Sequence, residues 1–310
     1  MHSQTISLKA PYSFERLVRR LETHPDPQMR VDAEQKTLRR AFRVGNHAVL
    51  TTIRFTGDQE QPILSWETHA ALRENEAAIL EKNIRHMFSA DVDLSPIYAQ
   101  MSQDPRLVPL TERFRGLRFL LDDDLFQSMV RTIIGQQINL AFAATLMERL
   151  LELAGEKVED ADGNCFLAFP TAERVAAMDV EQLRPLQFSQ RKAEYIIDFA
   201  RVIANGQLEL DGFWRLSDEE ILAQLTKLRG IGKWTVECLM MFGMGRPDLL
   251  PVADIGLKNG IQLVYGLGER PDEHEMRKIG ESWAPYRSYV CLYIWEMIGA
   301  IKRKEPWVHA

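Results

Sequence analysis

The stretch Leu228-Arg229-Gly230-Ile231-Gly232-Lys233-Trp234-Thr235 joins two segments of helical period. One helix is expected to end near Leu228 and the next to begin near Lys233, leaving a hairpin of about four residues. Two glycines around one apolar residue let the backbone turn tightly and present N–H groups outward. The N-terminus of the following helix adds its positive end. Ile231 is expected to plug the gap between the two helices. The product is a cradle for an anion such as a phosphodiester. Lys227, just before this stretch, and Arg229 and Lys233 within it stand with no acid among them, a local basic patch. A connection that merely uses glycine to turn between helices fits the same spacing equally well.

Helix signals extend in both directions. Upstream, Ser217-Asp218-Glu219-Glu220 has the form of a capping box, opening a helix through Ile221, Leu222 and Leu225. A helix-hairpin-helix unit is therefore expected at about 221–243. Downstream lies Leu250-Pro251-Val252-Ala253-Asp254-Ile255-Gly256-Leu257. An isolated aspartate before a helix is most often an N-cap. The functional alternative is a carboxylate held at the mouth of a cleft close to the hairpin. Asp122-Asp123-Asp124, Thr171 and Ser189 mark further helix starts, with Gly206 as a stop. Gly135-Gln136-Gln137-Ile138-Asn139 interrupts an apolar helical run, and Asn139 suits the cap of the next helix. An ordinary link between helices explains that interruption as well.

The first part of the chain has a different period. Thr5 to Ala10 alternates, and Leu38–Val44 and His47–Phe55 are β-prone runs separated only by Gly45-Asn46. That connection suits a primed hairpin turn with positive φ. Ile63–Thr68 adds a strand, and a short helix capped by Ser13 runs through Glu22. From Ala71 to Phe88 and beyond the period is helical, and no later stretch reads as a strand. The expected fold is α+β, with a small antiparallel-sheet domain over 1–88 followed by an all-helical domain over 89–310.

Composition bounds the function. With 310 residues, 45% hydrophobic and 26% charged, the chain has material for a large core. It lacks an apolar run of the length a membrane span needs, and its first residues carry no secretion signal. Cys165, Cys238 and Cys291 are too few and too scattered for a four-cysteine cluster or a disulfide framework, which fits a reducing, cytoplasmic setting. The seven histidines show no zinc-protease spacing, so a catalytic zinc is not expected, and no cofactor is expected either. The net charge of −6 counts mildly against a nucleic-acid partner, although a local basic site can sit on an acidic protein.

The hairpin and the Asp254 loop together resemble the helix-hairpin-helix DNA glycosylase superfamily, in which a hairpin of the form LPGIGxxTA precedes a loop with a catalytic aspartate. Further stretches resemble its 3-methyladenine DNA glycosylase II family. They are Gly116-Leu117-Arg118, Ile133-Ile134-Gly135-Gln136-Gln137, Phe169-Pro170-Thr171, Phe188-Ser189-Gln190-Arg191-Lys192-Ala193-Glu194, and Trp283-Ala284-Pro285-Tyr286-Arg287-Ser288-Tyr289 with Trp295. They run in order over roughly residues 84–300. The family also carries an N-terminal sheet domain.

The resemblance implies base excision repair: a monomer that binds duplex DNA, flips out an alkylated purine and hydrolyses its N-glycosidic bond. Asp254 matches the catalytic aspartate. Trp234 stands where bifunctional relatives carry a nucleophilic lysine, which implies hydrolysis without strand cleavage. Trp234 and Trp295 match base-pocket positions. Without the resemblance, Trp295, Tyr289 and Trp283 would be assigned to the core. Arg229, Gly230, Ile231, Gly232, Lys233 and Thr235 would meet the DNA backbone. A monovalent cation at the hairpin carbonyls is a further family expectation. The sequence also departs from the family. A polar Gln137 stands where the duplex wedge is apolar, leaving the wedge open between Gln137 and Ile138. Cys238 and Ile255 replace pocket aromatics, and Arg20 falls near a position where a phenylalanine can close the pocket. Two alternatives stand beside this one: a helix-hairpin-helix protein that binds DNA without catalysis, and a helical protein-interaction domain in which 230–235 is only a connector.

Overall fold

Alternation of apolar and polar residues builds the N-terminal sheet in the computed structural model, which describes residues 2–23 and 25–305. Among the expectations above, those touching Met1, His24 and His309 fall outside these residues. Strands β1 (His2–Ser7), β2 (Met29–Asp32), β3 (Thr37–Val44), β4 (His47–Thr56) and β5 (Ile63–Thr68) pair antiparallel in the order β1-β5-β4-β3-β2. Gly45 takes the positive φ (58°) that the tight β3–β4 turn requires, and Val44 faces His47 across it. The first strand starts and ends earlier than the expected Thr5–Ala10, and β2 was not foreseen. Leu38, Phe42, Ile53, Leu64 and Trp66 line one face of the sheet. That face is covered by α1 (Phe14–Thr23) and α2 (Glu74–Met87). Helix α2 begins after the expected Ala71, where Glu76 reaches back to the Arg73 N–H (2.8 Å).

A second core begins at Leu94 and is built by helices. These are α3 (Ser95–Met101), α4 (Val108–Arg113), α5 (Leu125–Gly135), α6 (Leu140–Ala154), α7 (Ala172–Ala176), α8 (Val180–Leu183), α9 (Gln190–Ala204) and α10 (Asp218–Leu225). The chain continues through α11 (Lys233–Cys238), α12 (Ile255–Tyr265), α13 (Glu273–Gly280) and α14 (Arg287–Lys302). The expected caps form: Asp124 accepts from Gln127 N–H (2.7 Å), Ser189 from Lys192 (3.2 Å), and Ser217 and Glu220 reciprocate. No helix among the described residues is long and apolar enough to cross a membrane.

The all-helical expectation for the second part needs correction. Strands β6 (Glu156–Glu159) and β7 (Cys165–Ala168) form a small antiparallel hairpin. Each has four residues, too short for alternation to register in sequence. They are held from outside: Arg39 pairs with Asp160 (2.8 Å), Arg43 with Glu156 (2.9 Å), and Arg30 and Arg39 lie over the Phe166 ring. The stabilising partners sit more than a hundred residues away, on the sheet.

Candidate active site

The hairpin forms where expected. Ile231 is buried between the flanking helices and donates its N–H to Leu228 O (3.2 Å). Gly230 has φ 82°, and a side chain there would strike the Tyr195 ring of α9 at 2.2 Å. Gly232 ends the turn as the N-cap of α11, with extended backbone and open space where a side chain would lie. The first N–H groups of α11 have no intrahelical acceptor and form the positive end of that helix.

The basic patch is weaker than the sequence window implies. Lys227, Arg229 and Lys233 are exposed. However, Arg229 pairs with Glu194 (2.5 Å) and Asp198 (3.6 Å) on α9, and Lys233 with Glu237 (3.8 Å). Packing brings in acids that lie tens of residues away or one helical turn on. Two of the backbone-contact residues also have buried side chains. Ile231 is the plug, and the Thr235 hydroxyl accepts from Gln136 Nε2 (3.0 Å). What these two can offer a partner is main chain. The Leu228 and Gly230 carbonyls already accept from Ile231 N–H and Gln136 Nε2 (2.9 Å). Each of these carbonyl oxygens keeps a second lone pair.

Asp254 lies on the turn that opens α12. Its Oδ1 accepts from the Leu257 N–H (2.6 Å) and from Trp295 Nε1 of α14 (3.0 Å). The aspartate is thus an N-cap and more, because an indole from another helix fixes its orientation. Oδ2 has no hydrogen-bond partner among the described residues. Trp295 is half-buried, with the Phe242 ring 5.8 Å away between centroids. Trp283 and Tyr289, by contrast, are core residues.

Burial, and then the negative charge of Asp254, push the Cys238 and Cys291 thiols up, so both remain neutral beside it. Trp234 is half-buried on α11, one helical turn before Cys238 and on the same face. Ile255 is 63% exposed next to the aspartate. It stands on open surface rather than in a closed pocket.

On the neighbouring turn, Gln137 is exposed with φ 56°, whereas Ile138 packs against the helical core. Asn139 caps α6 through the Phe142 N–H (2.8 Å). Arg20 reaches the buried Glu296 (3.8 Å), the residue after Trp295 in α14. Sequence reasoning gave no role to Gln136, which ties this turn to the hairpin, nor to Phe242. The polar pair Gln136-Gln137 ending an apolar run was the available signal for the first; Phe242 left none.

Comparison with known proteins gives the family. The HhH-GPD family, described as superfamily base excision DNA repair protein, matches residues 130–285, and the AlkA N-terminal domain matches residues 4–119. The Bacillus subtilis protein YfjP is 36% identical over 301 residues, 96% of this chain and 100% of its own length. The Bacillus subtilis DNA-3-methyladenine glycosylase is 33% identical over 217 residues, 70% of this chain and 71% of that one. In fold, the chain is similar to the 3-methyladenine DNA-glycosylase from Archaeoglobus fulgidus (TM-score 0.82, 24% identity, covering 96% of this chain and 99% of that one). The chain belongs to the HhH-GPD superfamily of base excision DNA repair proteins and, within it, to the 3-methyladenine DNA glycosylase II family.

Proposed function

We propose that this repair glycosylase binds duplex DNA, flips an alkylated purine out of the stack and hydrolyses its N-glycosidic bond with water as the nucleophile, leaving the strand uncut. The observation that carries this is the Asp254 carboxylate, anchored through one oxygen by Leu257 and Trp295 with its other oxygen unpartnered among the described residues. Methylation at N3 or N7 makes the purine cationic and a good leaving group. As the bond breaks, positive charge moves to the deoxyribose. A carboxylate about 4 Å away at an effective dielectric of ~20 attracts it by about 4 kcal/mol, roughly three decades in rate. The purine leaves with the bonding electron pair as a neutral base, and water adds to the sugar carbon and gives up a proton to solvent.

Trp234 in place of a lysine supports the monofunctional assignment. Trp234 and Trp295 suit a cationic purine, since an indole face attracts a cation by about 0.5–2 kcal/mol. Cys238 and Ile255 would line a less aromatic, roomier site. Gln137, exposed on its turn, suits the wedge better than Ile138. Residues 1–88 would serve as the sheet domain and 89–310 as the catalytic one, acting as a monomer. Under the non-catalytic DNA-binding alternative an uncharged cap such as asparagine would serve at 254 without a negative charge facing anionic DNA.

The test is a base-release panel on duplexes carrying 3-methyladenine, 7-methylguanine, hypoxanthine or ethenoadenine, followed by gels run with and without added alkali. Release of a methylated base with strand breaks only after alkali is expected. Nicking by the protein alone would overturn monofunctionality.

A further inference from the structure

Lys192, near the start of α9, is 8% exposed, yet no carboxylate pairs with it among the described residues. Its Nζ instead donates to three main-chain carbonyls: Ile133 (3.0 Å), Ile134 (2.5 Å) and Gln136 (3.0 Å). The first two belong to the last turn of α5 and the third to the residue just beyond it. Ile133 O also accepts the Gln136 N–H (3.3 Å), while the other two are acceptors that a helix end leaves without intrahelical partners, at its negative pole. A helix stop of this kind is usually made by a glycine in left-handed conformation. Here the left-handed residue is Gln137, an exposed non-glycine at φ 56°. That conformation is disfavoured for an L side chain and persists where its surroundings impose it.

Two ties impose it. Lys192 holds the turn to α9, and the Gln136 amide holds it to the hairpin through Gly230 O (2.9 Å) and Thr235 Oγ1 (3.0 Å). We propose that Lys192 is a positioning residue for base flipping: it clamps the Gln136–Ile138 turn to the hairpin scaffold, so that Gln137 is already ordered when it enters the gap left by the departing nucleotide. This deepens the glycosylase assignment and rests on it. Burial is costly for an ammonium group and draws this amine down to about 8. A methionine would fill the site without that cost, so the charge serves the turn rather than the packing. Without the clamp, each flipping event would also have to order the turn.

The test uses the full-length protein and two duplexes. One carries 7-methylguanine opposite cytosine, and the other carries the same lesion opposite an abasic-site analogue. An unpaired base is extruded at little cost, so the wedge matters less there. Single-turnover base release by Lys192→Met should fall about tenfold on the paired duplex and less than about threefold on the unpaired one, as should release by Gln137→Ala. The double variant should be no slower than the slower single variant, because both changes act on one step. Equal slowing on the two duplexes, no slowing, or additive losses would each overturn the proposal. If Lys192→Met does not fold, Lys192→Gln is put through the same comparison.

A second readout separates this idea from the chemistry. 2-Aminopurine beside the lesion brightens on unstacking with no bond broken. A wild-type protein that releases no base from any lesion of the four-lesion panel defeats the glycosylase assignment. The fluorescence still decides Lys192: a rise with wild type that is lost in the variant supports the clamp, and equal rises in both overturn it.

Discussion

At the residue scale, two substitutions separate fold from function. Asp254→Asn keeps an oxygen for the Leu257 N–H and Trp295 Nε1 and remains a good helix cap, so the loop should hold its shape. Only the charge is removed. Base release should drop by about three decades while duplex affinity persists. Undiminished turnover would remove Asp254 from catalysis. Gly232→Asp is the complementary probe. Its backbone is extended at φ −100° with no atom within 4 Å of an added side chain, and aspartate is itself a favourable N-cap. The melting temperature should therefore hold, while affinity falls for every DNA sequence alike through repulsion of phosphate. A loss restricted to one base context would count against a backbone-gripping hairpin. Gly230 offers no such clean test, because the Tyr195 ring occupies the space a side chain would need.

At the element scale, the helix that starts at Lys233 widens into a π turn at Leu239–Gly243, which carries Phe242 against Trp295. The helix ends with this turn, which leaves its last carbonyls without intrahelical donors, and other elements take them up. Asp122 N–H donates to Phe242 O (2.8 Å), and His86 of α2 donates from Nε2 to Gly243 O (2.7 Å). Burial, opposed by the Gly243 hydrogen bond and by the charges of Asp123 and Asp122, pulls the His86 imidazole below its usual range. A depressed value means that the folded state favours the neutral ring. The contribution is therefore present above pH ~6.5 and lost as pH falls through the folded value. Wild type should melt above His86→Gln at pH 7.5, by a margin worth about 1 kcal/mol, and the margin should close toward pH 5.5. A constant margin would show that the ring's protonation is not linked to folding.

This turn also marks a limit of the sequence. The capping boxes, the Gly45-Asn46 hairpin, the Gly230–Gly232 turn and the Asp254 cap are local, and local residues announce them. The π turn, the β6–β7 hairpin and the acids that meet Arg229 are imposed by partners distant in the chain, which a periodicity cannot reveal.

At the scale of the whole molecule, the sheet and the helical part are joined by buried charges reaching in both directions. Arg40 of β3, 1% exposed, donates to Asp123, two residues before α5. Arg131 of α5 reaches back to Asp26, before β2 (2.8 Å), and also to Asp122 (3.0 Å). Burial alone would raise the Asp26 carboxyl, but Arg131 and Arg40 together hold it below its ordinary value. Such pairs add little over a well-packed apolar contact while intact, yet removing one partner strands the other charge in the interior. Arg40→Met should therefore lower the unfolding free energy by roughly 3–5 kcal/mol, although methionine fills much of the same space. Replacing Asp123 with asparagine in that background should recover part of the loss, since the stranded charge is then gone. Urea denaturation of the single and double variants measures both quantities. A single-variant loss under about 1 kcal/mol, or a double variant no better than the single, would mean that apolar packing, rather than this pair, fixes the sheet against the helical part.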